Sequence, residues 1–393
     1  MGYMRSYLKV NEEDIVWDSG CTEDVVDGWL LLFSQQEIYC DLVEFGSIRY
    51  NKPSNYLEIV PYNFELDPDG YEELTVSIRV RSIVKHIKDR LKLFGIDNKI
   101  ADFCMKFEHP EDFYESIDAY DIVQTIDYCW DYALLYNTIR LLDDHISVEY
   151  DLSELFLHYE NYDNYDDALL ARQNDYDWCF WKLQNLHEEN QIVILAEGSD
   201  DITVLSNSLK FLYPHLQEYF QFIDFHESNY GGGAPEIIKI IKAFIAIKLK
   251  KRVIAIFDND TMAREALSTF RKNNIKIPNN IKILHYPDVE FLKSYPTIGP
   301  TGGITLADVN GLAGSIELYL GKDVLTGYRE TEECYPVQWK SYNNTLKCYH
   351  GEIMNKSIFI EKFLLKCNVQ TLNQDDWVEL QAIWEEMIGV FSA

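Results

Sequence analysis

QIVILAEGSDD, residues 191–201, is the stretch that indicates the fold of the second half of the chain. It begins with a continuous apolar run and then changes abruptly to Glu197, Gly198 and two aspartates. An unbroken apolar run is typical of a strand in a parallel sheet that is buried on both faces. The next residues, DDITVLSNSLKFLY, have their apolar positions at helical spacing. The stretch therefore predicts a strand that ends at Glu197 and a helix that follows it.

The same alternation of strand and helix continues along the chain. Further strands are predicted in YFQFIDF (219–225), RVIAIFDND (252–260) and IKILHY (281–286), and helices in APEIIKIIKAFIAIKLKK (234–251) and TMAREALSTFRKNN (261–274). Strands separated by helices of this length indicate an α/β fold with a parallel sheet covered on both faces. Such sheets bind ligands at the carboxyl ends of their strands, where Glu197 and the pair Asp258 and Asp260 are expected.

The first half of the chain has a different pattern. Residues 1–75 contain short β-rich runs such as SYLKV and DIVWD, which predict a strand-rich region. Residues 76–188 contain long runs with helical spacing and predict a helical region; the first such run is LTVSIRVRSIVKHIKDRLKLFGI, which begins at residue 74. We therefore expect an N-terminal α+β domain, followed over 189–393 by the α/β domain with a C-terminal helical extension.

Charge and cysteine content limit the class of protein. The net charge is −30, and residues 1–190 hold 15 Lys and Arg against 40 Asp and Glu, so the first half should repel a phosphate backbone. The eight cysteines are scattered without a CxxC pair, which favours free thiols in a reducing compartment. The chain also has no apolar run of about 18 residues. We expect a cytoplasmic protein without a membrane partner.

Four acidic residues indicate a metal site. Asp258 and Asp260 are two residues apart where a strand ends, so in extended backbone their side chains share one face. Glu197 can converge on the same point from a neighbouring strand, and Asp201 lies one helical turn beyond it. Carboxylates at such separations repel one another unless a cation lies between them. Hard oxygen ligands suit Mg²⁺ or Mn²⁺, which could activate water for phosphodiester hydrolysis.

The same residues also have structural interpretations. Ser199 or Asp200 could cap the helix that follows the first strand, and Asp260 could cap the helix that begins near Thr261. Gly198 could be present because the turn needs a positive φ.

The order of these acids resembles the TOPRIM domain of topoisomerases, primases and overcoming-lysogenization-defect (OLD) family nucleases. In that domain a strand-end Glu precedes a DxD strand end, and the matching residues here are Glu197, Asp258 and Asp260. The EGxxD form, with Asp201, is similar to the OLD-type nucleases. Within ADVNGLAGSIELYLG (307–321), SIE resembles their element in which a Ser and a Glu complete the metal shell. That match implies Ser315 and Glu317 as ligands, with Asp308 as a further candidate.

The OLD resemblance also implies a later lysine near the scissile phosphate. The candidates are Lys340, Lys347 and Lys356, of which we prefer Lys356; the alternative is that Lys356 is a solvent-facing helix residue. The whole chain resembles bacterial proteins known as HEPN/Toprim-associated, in its opening MGYMRSYLKV and in YPTIGPTGG (295–303). This second resemblance implies a role in defence against phage or plasmids.

Other stretches suggest further sites. The most basic stretch alternates with isoleucines along the predicted helix of residues 234–251, and its charged face could bind a phosphate backbone or be only a solvated face; its residues are Lys239, Lys242, Lys248, Lys250, Lys251 and Arg252. GGGAP (231–235) could hold phosphate at a helix N-terminus or form a tight turn, and Thr301 could meet a phosphate from its loop. Two Rx4H pairs have the spacing that HEPN ribonucleases use; they are Arg81 with His86 and Arg140 with His145.

From the sequence we expect a Mg²⁺- or Mn²⁺-dependent endonuclease of the TOPRIM type. Its expected substrate is nucleic acid, with DNA as first choice and RNA as the alternative, and a regulatory protein or a second copy of the chain is its expected partner. Two other functions stay open: a metal-independent HEPN-type ribonuclease, and a non-catalytic regulatory or interaction module. The residues expected at the metal are Glu197, Asp201, Asp258, Asp260, Ser315 and Glu317, with Lys356 at the phosphate and Lys248, Lys250, Lys251 and Arg252 along the nucleic acid.

Overall fold

The computed structural model describes part of the chain, and the chain divides into two compact units. The described residues are 6–10, 13–18, 33–34, 37–42, 76–94, 139, 142–151, 184–185, 187–223, 232–272, 275–368 and 374–392. The first unit comprises residues 1–189 with 392–393, and the second comprises residues 190–391. The division follows Glu189, one residue beyond the boundary expected from the sequence.

The first unit contains a five-stranded antiparallel sheet with the order β2-β1-β5-β4-β3. Its elements are β1 (Ser6–Val10), β2 (Glu13–Asp18), β3 (Ile38–Leu42), β4 (Val76–Ile83), the helix α1 (Val84–Phe94) and β5 (Ser147–Asp151). The prediction that the run from residue 74 is helical from its start is wrong, because β4 occupies VSIRVRSI. In that segment apolar and polar residues alternate, which is the period of a strand, and the helical period begins only at Val84.

The second unit is built on a four-stranded parallel sheet with the order β10-β8-β6-β7. The strands and the helices that connect them are β6 (Ile192–Leu195), α2 (Ser199–Leu212), β7 (Phe220–Phe222), α3 (Ala234–Ala246), β8 (Val253–Phe257), the short β9 (Asn259–Asp260), α4 (Thr261–Lys272) and β10 (Ile281–His285). Every residue of β6 and β8 is buried, as expected for central strands. The prediction of a mixed α/β fold with a parallel sheet is confirmed.

The register of this sheet brings two strand ends together. β6 and β8 are direct neighbours, and Leu195 is level with Ala255. Because the two strands run parallel, their carboxyl ends lie at the same edge. Glu197 and Asp258 both follow these ends, so the fold places them side by side.

A second sheet follows in the chain and was not predicted from the sequence. It has the order β12-β11-β14-β15, and the two-stranded pair β9-β13 lies beside it in the same unit. The elements are β11 (Tyr295–Ile298), β12 (Ile304–Ala307), β13 (Ala313–Gly314), α5 (Lys322–Leu325), β14 (Val337–Asn343), β15 (Cys348–Ile353), α6 (Ser357–Asn368) and α7 (Val378–Gly389). Within the described residues, no helix combines the length and the apolar character needed to cross a bilayer.

Candidate functional site

Glu197 connects three elements at the carboxyl edge of the parallel sheet. Its Oε1 accepts a hydrogen bond from the backbone N–H of Asp258 at 3.1 Å, and its Oε2 accepts one from the N–H of Ala234 at 2.9 Å. Ala234 is the first residue of α3, so the carboxylate occupies the positive end of that helix. The N-terminus of α3, where the sequence offered a phosphate site, is therefore occupied by a carboxylate of the protein itself.

Asp201 lies in the first turn of α2 and is buried. Its Oδ2 accepts a hydrogen bond from the backbone N–H of Gly198 at 2.9 Å, and its Oδ1 accepts one from the hydroxyl of Tyr286. Gly198 has a φ of −142°, which any residue adopts, so the explanation by a positive φ is wrong. A β-carbon at position 198 would instead lie 3.2 Å from Asp201 Oδ2, which is a tight contact.

Asp260 has both a structural and an electrostatic role. Its Oδ1 accepts a hydrogen bond from the backbone N–H of Ala263 at 2.8 Å, so Asp260 caps α4, as one interpretation of the sequence proposed. Its Oδ2 lies 3.6 Å from Nδ1 of His350, a largely buried side chain on β15. One carboxylate oxygen therefore holds the helix, and the other faces the interior of the site.

Asp258 is held through its backbone. Its N–H donates to Glu197, and its carbonyl oxygen lies 2.9 Å from Nδ1 of His285. A carbonyl can only accept, so Nδ1 of His285 must carry the proton in this contact. Both main-chain groups are thus fixed, and the Asp258 side chain projects from a rigid strand end.

The close approach of β13 to β9 completes this side of the site. Gly314 is level with Asn259, and a β-carbon on Gly314 would lie 2.8 Å from the Asn259 carbonyl oxygen. The position therefore accepts only glycine without a shift of backbone. The next residues, Ser315 and Glu317, belong to the turn and the 3-10 helix that follow β13.

Ser315 and Glu317 are buried polar residues beside the acids. Ser315 is 6% exposed and Glu317 is 4% exposed. Glu317 Oε2 lies 3.5 Å from Nζ of Lys356, which forms an ion pair with it. In the described part of the chain, Ser315 Oγ has no hydrogen-bond partner. A buried oxygen without a donor is costly, so this atom indicates that the site is built for a further partner.

Lys356 is the one of the three candidate lysines that the structure brings to a site acid. It precedes α6 and so is not a helix residue, although its side chain is partly exposed to solvent. Lys340 instead donates to Gln338 at 2.9 Å, and Lys347 lies exposed in the turn between β14 and β15. Burial acts to lower the pKa of Lys356, but the charges of Glu317 and Asp258 outweigh it and raise the pKa.

Three carboxyl groups of the site, those of Glu197, Asp201 and Asp258, have raised pKa values. Burial, followed by the charges of Asp260 and Asp201, raises the pKa of Glu197 to about 7, against the opposing effect of its hydrogen bond from the Asp258 N–H. Burial and the charge of Glu317 raise the pKa of Asp201 to about 6. Burial and three neighbouring carboxylates raise the pKa of Asp258 well above its usual range. These directions show several acids close enough to repel one another in a region of low solvent exposure.

The acids of the site are not drawn together around a single point. Within the described residues, no three His, Cys, Asp or Glu side chains are grouped closely enough to ligate one metal ion. Glu197 and Asp201 use their oxygens in hydrogen bonds, although each carboxylate oxygen has a second lone pair. The donor set of hard oxygens, including the unpartnered Oγ of Ser315 and the carboxylate of Glu317, fits Mg²⁺ or Mn²⁺ in its chemistry. Binding an ion would require these side chains to draw closer.

The basic stretch predicted to bind nucleic acid is not at this site. Arg252 immediately precedes β8, whereas Asp258 immediately follows it. A five-residue strand is about 16 Å long, so the stretch lies at the opposite edge of the parallel sheet. Lys248 and Lys250 are exposed there, and the Arg252 guanidinium lies 5.3 Å from the ring of Phe391. Neither Lys251 nor Arg252 can therefore contact a phosphate that is held at the acids.

Two further candidates lie away from the acids. Asp308 is exposed, and its Oδ1 accepts hydrogen bonds from the backbone and side chain of Asn310, which makes it a turn residue. Thr301 is exposed in the turn between β11 and β12. The structure gives neither residue a contact with the acids.

The Rx4H pairs belong to the first unit. Arg81 is exposed on β4 and pairs with Glu149 at 2.5 Å, whereas His86 lies on α1, 3.6 Å from Glu37 Oε1. Glu37 also binds the buried Arg90 at 2.8 Å, which places His86 in a structural ion network. In the second pair, Arg140 lies outside the described residues, and its partner His145 is exposed.

Three residues of the site were not identified from the sequence. His285 is the last residue of β10, a neighbour of β8, and Tyr286 follows it. A search for polar residues at strand ends would have found both. His350 gives no such signal, because it depends on the position of β15, which was not predicted.

A cavity of about 790 Å³ opens among α4, β10 and the β14–β15 turn. Its lining is mainly apolar, with Arg264, Ser268 and His285 as polar groups. Since His285 also contacts the Asp258 carbonyl, one wall of the cavity is continuous with the site.

Comparisons of the chain with protein-family models, with curated proteins and with solved structures gave no match. We therefore infer function from the geometry of the second unit and from the motifs within it.

Proposed function

We propose that the second unit is a divalent-metal-dependent nuclease of the TOPRIM type. The observation that carries this proposal is the convergence of acids from distant segments at the carboxyl edge of one parallel sheet. Glu197, Asp201, Asp258 and Glu317 influence one another electrostatically, and a single lysine is paired with them. A buried group of mutually repelling carboxylates is best explained by a cation that neutralises it when the protein functions.

The cation would be Mg²⁺ or Mn²⁺, held by Glu197, Asp201, Asp258, Asp260 and Glu317 with Ser315. A bound ion of this kind supplies an activated water and stabilises the charge on the phosphate. The chain itself orients the acids: backbone N–H groups hold Glu197, the Tyr286 hydroxyl holds Asp201, and the cap of α4 holds Asp260.

Lys356 would contact the substrate phosphate. Its raised pKa keeps the ammonium group charged, and its side chain is 42% exposed while its Nζ lies 3.5 Å from Glu317. A charged group that reaches from the buried acids to solvent can bind a phosphate oxygen and stabilise the charge that develops there.

A second function is favoured by one observation. The oxygens of Glu197 and of Asp201 already accept hydrogen bonds from the protein, and the ligand geometry is open. A non-catalytic module that uses these acids only to hold the sheet edge would show the same contacts. Unpartnered Ser315 Oγ, in contrast, has no use in such a module.

The finer parts of the proposal depend on the resemblance alone. These are DNA as the first-choice substrate with RNA as the alternative, a cytoplasmic role in bacterial defence, and control by a regulatory protein or by a second copy of the chain. Full activity of the isolated chain at physiological salt would count against the need for a regulator.

The experiment that tests the nuclease proposal compares purified variants on plasmid DNA and on RNA. Wild type, Asp258→Asn and Asp308→Asn are each assayed with Mg²⁺, with Mn²⁺ and with chelator. Asp308→Asn is the matched control, because it removes an exposed acid of the same unit. We expect metal-dependent cleavage that is lost only in Asp258→Asn. Metal-free cleavage of RNA that is lost in His145→Ala would instead support the HEPN-type ribonuclease.

A further inference from the structure

The hairpin of β14 and β15 carries a surface cluster of aromatic rings. Tyr342 and Tyr349 are 49% and 52% exposed, and Trp339 is half-buried beside them. Tyr342 and Tyr349 are paired across the two strands, with ring centroids 5.1 Å apart and an edge-to-face arrangement. The ring of Trp339 lies 6.3 Å from that of Tyr349. Since cross-strand partners share a face, the three rings form one continuous surface, here called the aromatic cluster.

The cluster is held in place by the strand opposite Trp339. That strand presents Gly351, on which a β-carbon would lie 3.0 Å from Cε3 of the indole. Glycine therefore lets the Trp339 ring lie close against the backbone. Single exposed apolar residues are ordinary, whereas a contiguous exposed group of aromatic residues is a candidate binding surface.

The cluster is directly connected to the acid site. The backbone carbonyl of Tyr349 accepts a hydrogen bond at 3.0 Å from Thr261, the residue after Asp260. The next residue of β15 is His350, whose Nδ1 lies 3.6 Å from Asp260 Oδ2. Successive side chains of a strand point to opposite faces, so His350 faces Asp260 while the ring of Tyr349 faces away from it. A polynucleotide with one phosphate at the acids would therefore reach the aromatic cluster by passing around the edge of β15.

The charge of the hairpin also suits a polynucleotide. Residues 337–353, which form the hairpin, contain two lysines, Lys340 and Lys347, against the single acid Glu352, a net charge of +1 in a chain of net charge −30. Lys347 is exposed at the tip of the hairpin. Positive charge beside exposed aromatic rings is the combination by which proteins bind single-stranded nucleic acid, with the backbone on the cations and the bases stacked on the rings.

We infer that the aromatic cluster is a stacking surface for unpaired bases, so that the substrate is single-stranded nucleic acid. This inference deepens the proposed nuclease function and rests on it for the position of the scissile phosphate. The bases of an intact duplex are stacked within the helix and cannot reach the rings, whereas the bases of a single strand can turn outwards.

The test is the affinity of the full chain for a labelled single-stranded oligonucleotide and for the matching duplex. Affinity is measured by fluorescence anisotropy with Ca²⁺ in place of Mg²⁺. Tyr342→Ala and Tyr349→Ala should each weaken single-strand binding roughly 5- to 100-fold, the range for loss of one stacked base. Duplex binding should change far less. Tyr349→Phe keeps the ring and should bind as wild type does.

Two further variants separate stacking from folding and from apolar contact. Tyr349→Leu keeps apolar volume without a ring and should bind single strands as weakly as Tyr349→Ala. Leu306→Ala removes an exposed apolar side chain of β12, and it should leave binding unchanged. Equal losses for single strand and duplex, full binding by Tyr349→Ala and Tyr349→Leu, or no single-strand binding by wild type would each overturn the inference.

Sedimentation and cleavage complete the test. If the cluster instead joins two copies of the chain, wild type will sediment as a dimer and Tyr349→Ala as a monomer, which also overturns the inference. Asp258→Asn should lose cleavage while it still discriminates single strand from duplex. If Asp258→Asn cleaves normally, the proposed nuclease function fails, whereas the stacking surface is judged by the binding comparison alone.

Discussion

Replacing Asp258 by asparagine should stabilise the metal-free protein at pH 8. The substitution keeps the size of the side chain and the two backbone contacts of residue 258, with Glu197 and with His285. What it removes is one of several negative charges that repel one another. Most substitutions at a buried site destabilise a protein, so a gain in stability is a distinctive outcome.

The magnitude follows from the raised pKa values. The pKa of Glu197 is raised from 4.5 to about 7, and that of Asp201 from 3.8 to about 6. At about 1.4 kcal/mol for each pKa unit, each ionised carboxylate destabilises the fold by about 3 kcal/mol. The native state binds these protons more tightly than the unfolded chain does. Stability should therefore fall as pH rises from about 4 to 7, and the full penalty is present above pH 7.

Burial is the largest cause of these shifts, so repulsion by Asp258 accounts for only a part of the penalty. A pair of charges about 8–10 Å apart at an effective dielectric constant of 20 contributes about 2 kcal/mol. We expect Asp258→Asn to raise the free energy of unfolding by about 1–2 kcal/mol at pH 8, with a smaller gain at pH 5. Saturating Mg²⁺ should remove the advantage of the variant, because the cation would screen the same repulsion in wild type.

The assay is unfolding in urea with chelator, at pH 5 and at pH 8, followed by tryptophan fluorescence. Trp377 and Trp384 are buried in the second unit and report on its unfolding. The control is Asp308→Asn, which removes a charge from an exposed turn. A loss of stability in Asp258→Asn at pH 8, or the same gain at both pH values, would refute the repulsion argument.

Three other outcomes are expected. Gly314→Ala should lower the free energy of unfolding in urea by about 1–3 kcal/mol, because its β-carbon would lie 2.8 Å from a carbonyl oxygen. Gly299 has open space around it, so Gly299→Ala should leave the free energy of unfolding unchanged. Tyr286→Phe removes a hydrogen bond that lowers the pKa of Asp201, so the pH midpoint of Mn²⁺ binding should move upwards. An unchanged midpoint would show that Tyr286 does not control the protonation of Asp201. Lys356→Ala should reduce the cleavage rate at least about 10-fold in single-turnover kinetics, with partial recovery in Lys356→Arg, and equal rates in all three proteins would rule out a contact with phosphate.

The sequence predicts the parallel sheet well for a physical reason. Strands buried on both faces are unbroken apolar runs, and β6 and β8 are such runs with polar residues directly after them. It predicts β4 poorly, because the segment before Val84 alternates apolar and polar residues but continues without a break into a helix. The hairpin of β14 and β15 is rich in polar and aromatic residues, so neither the period of a strand nor the period of a helix dominates its sequence.

The site likewise has a part that local sequence patterns predict and a part that they do not. Acids at the ends of neighbouring parallel strands must lie at one edge, which is why Glu197 and Asp258 could be paired from the sequence. The contacts of His350 and of the aromatic cluster depend on how a later hairpin packs, and local patterns carry no such information. The assignment of Arg252 to the site overlooked the direction of β8, which separates its two ends by the length of the strand.

The most direct test of a shared cation is calorimetric titration of Mn²⁺ into the metal-free protein at pH 6.5, in two buffers of different ionisation enthalpy. Because Glu197 and Asp201 hold protons near this pH, binding to wild type should release protons as well as heat. Asp258→Asn should bind much more weakly, and Asp308→Asn should match wild type. Absence of Mn²⁺ binding by wild type, or binding without proton release and with equal affinity in Asp258→Asn, would contradict the account.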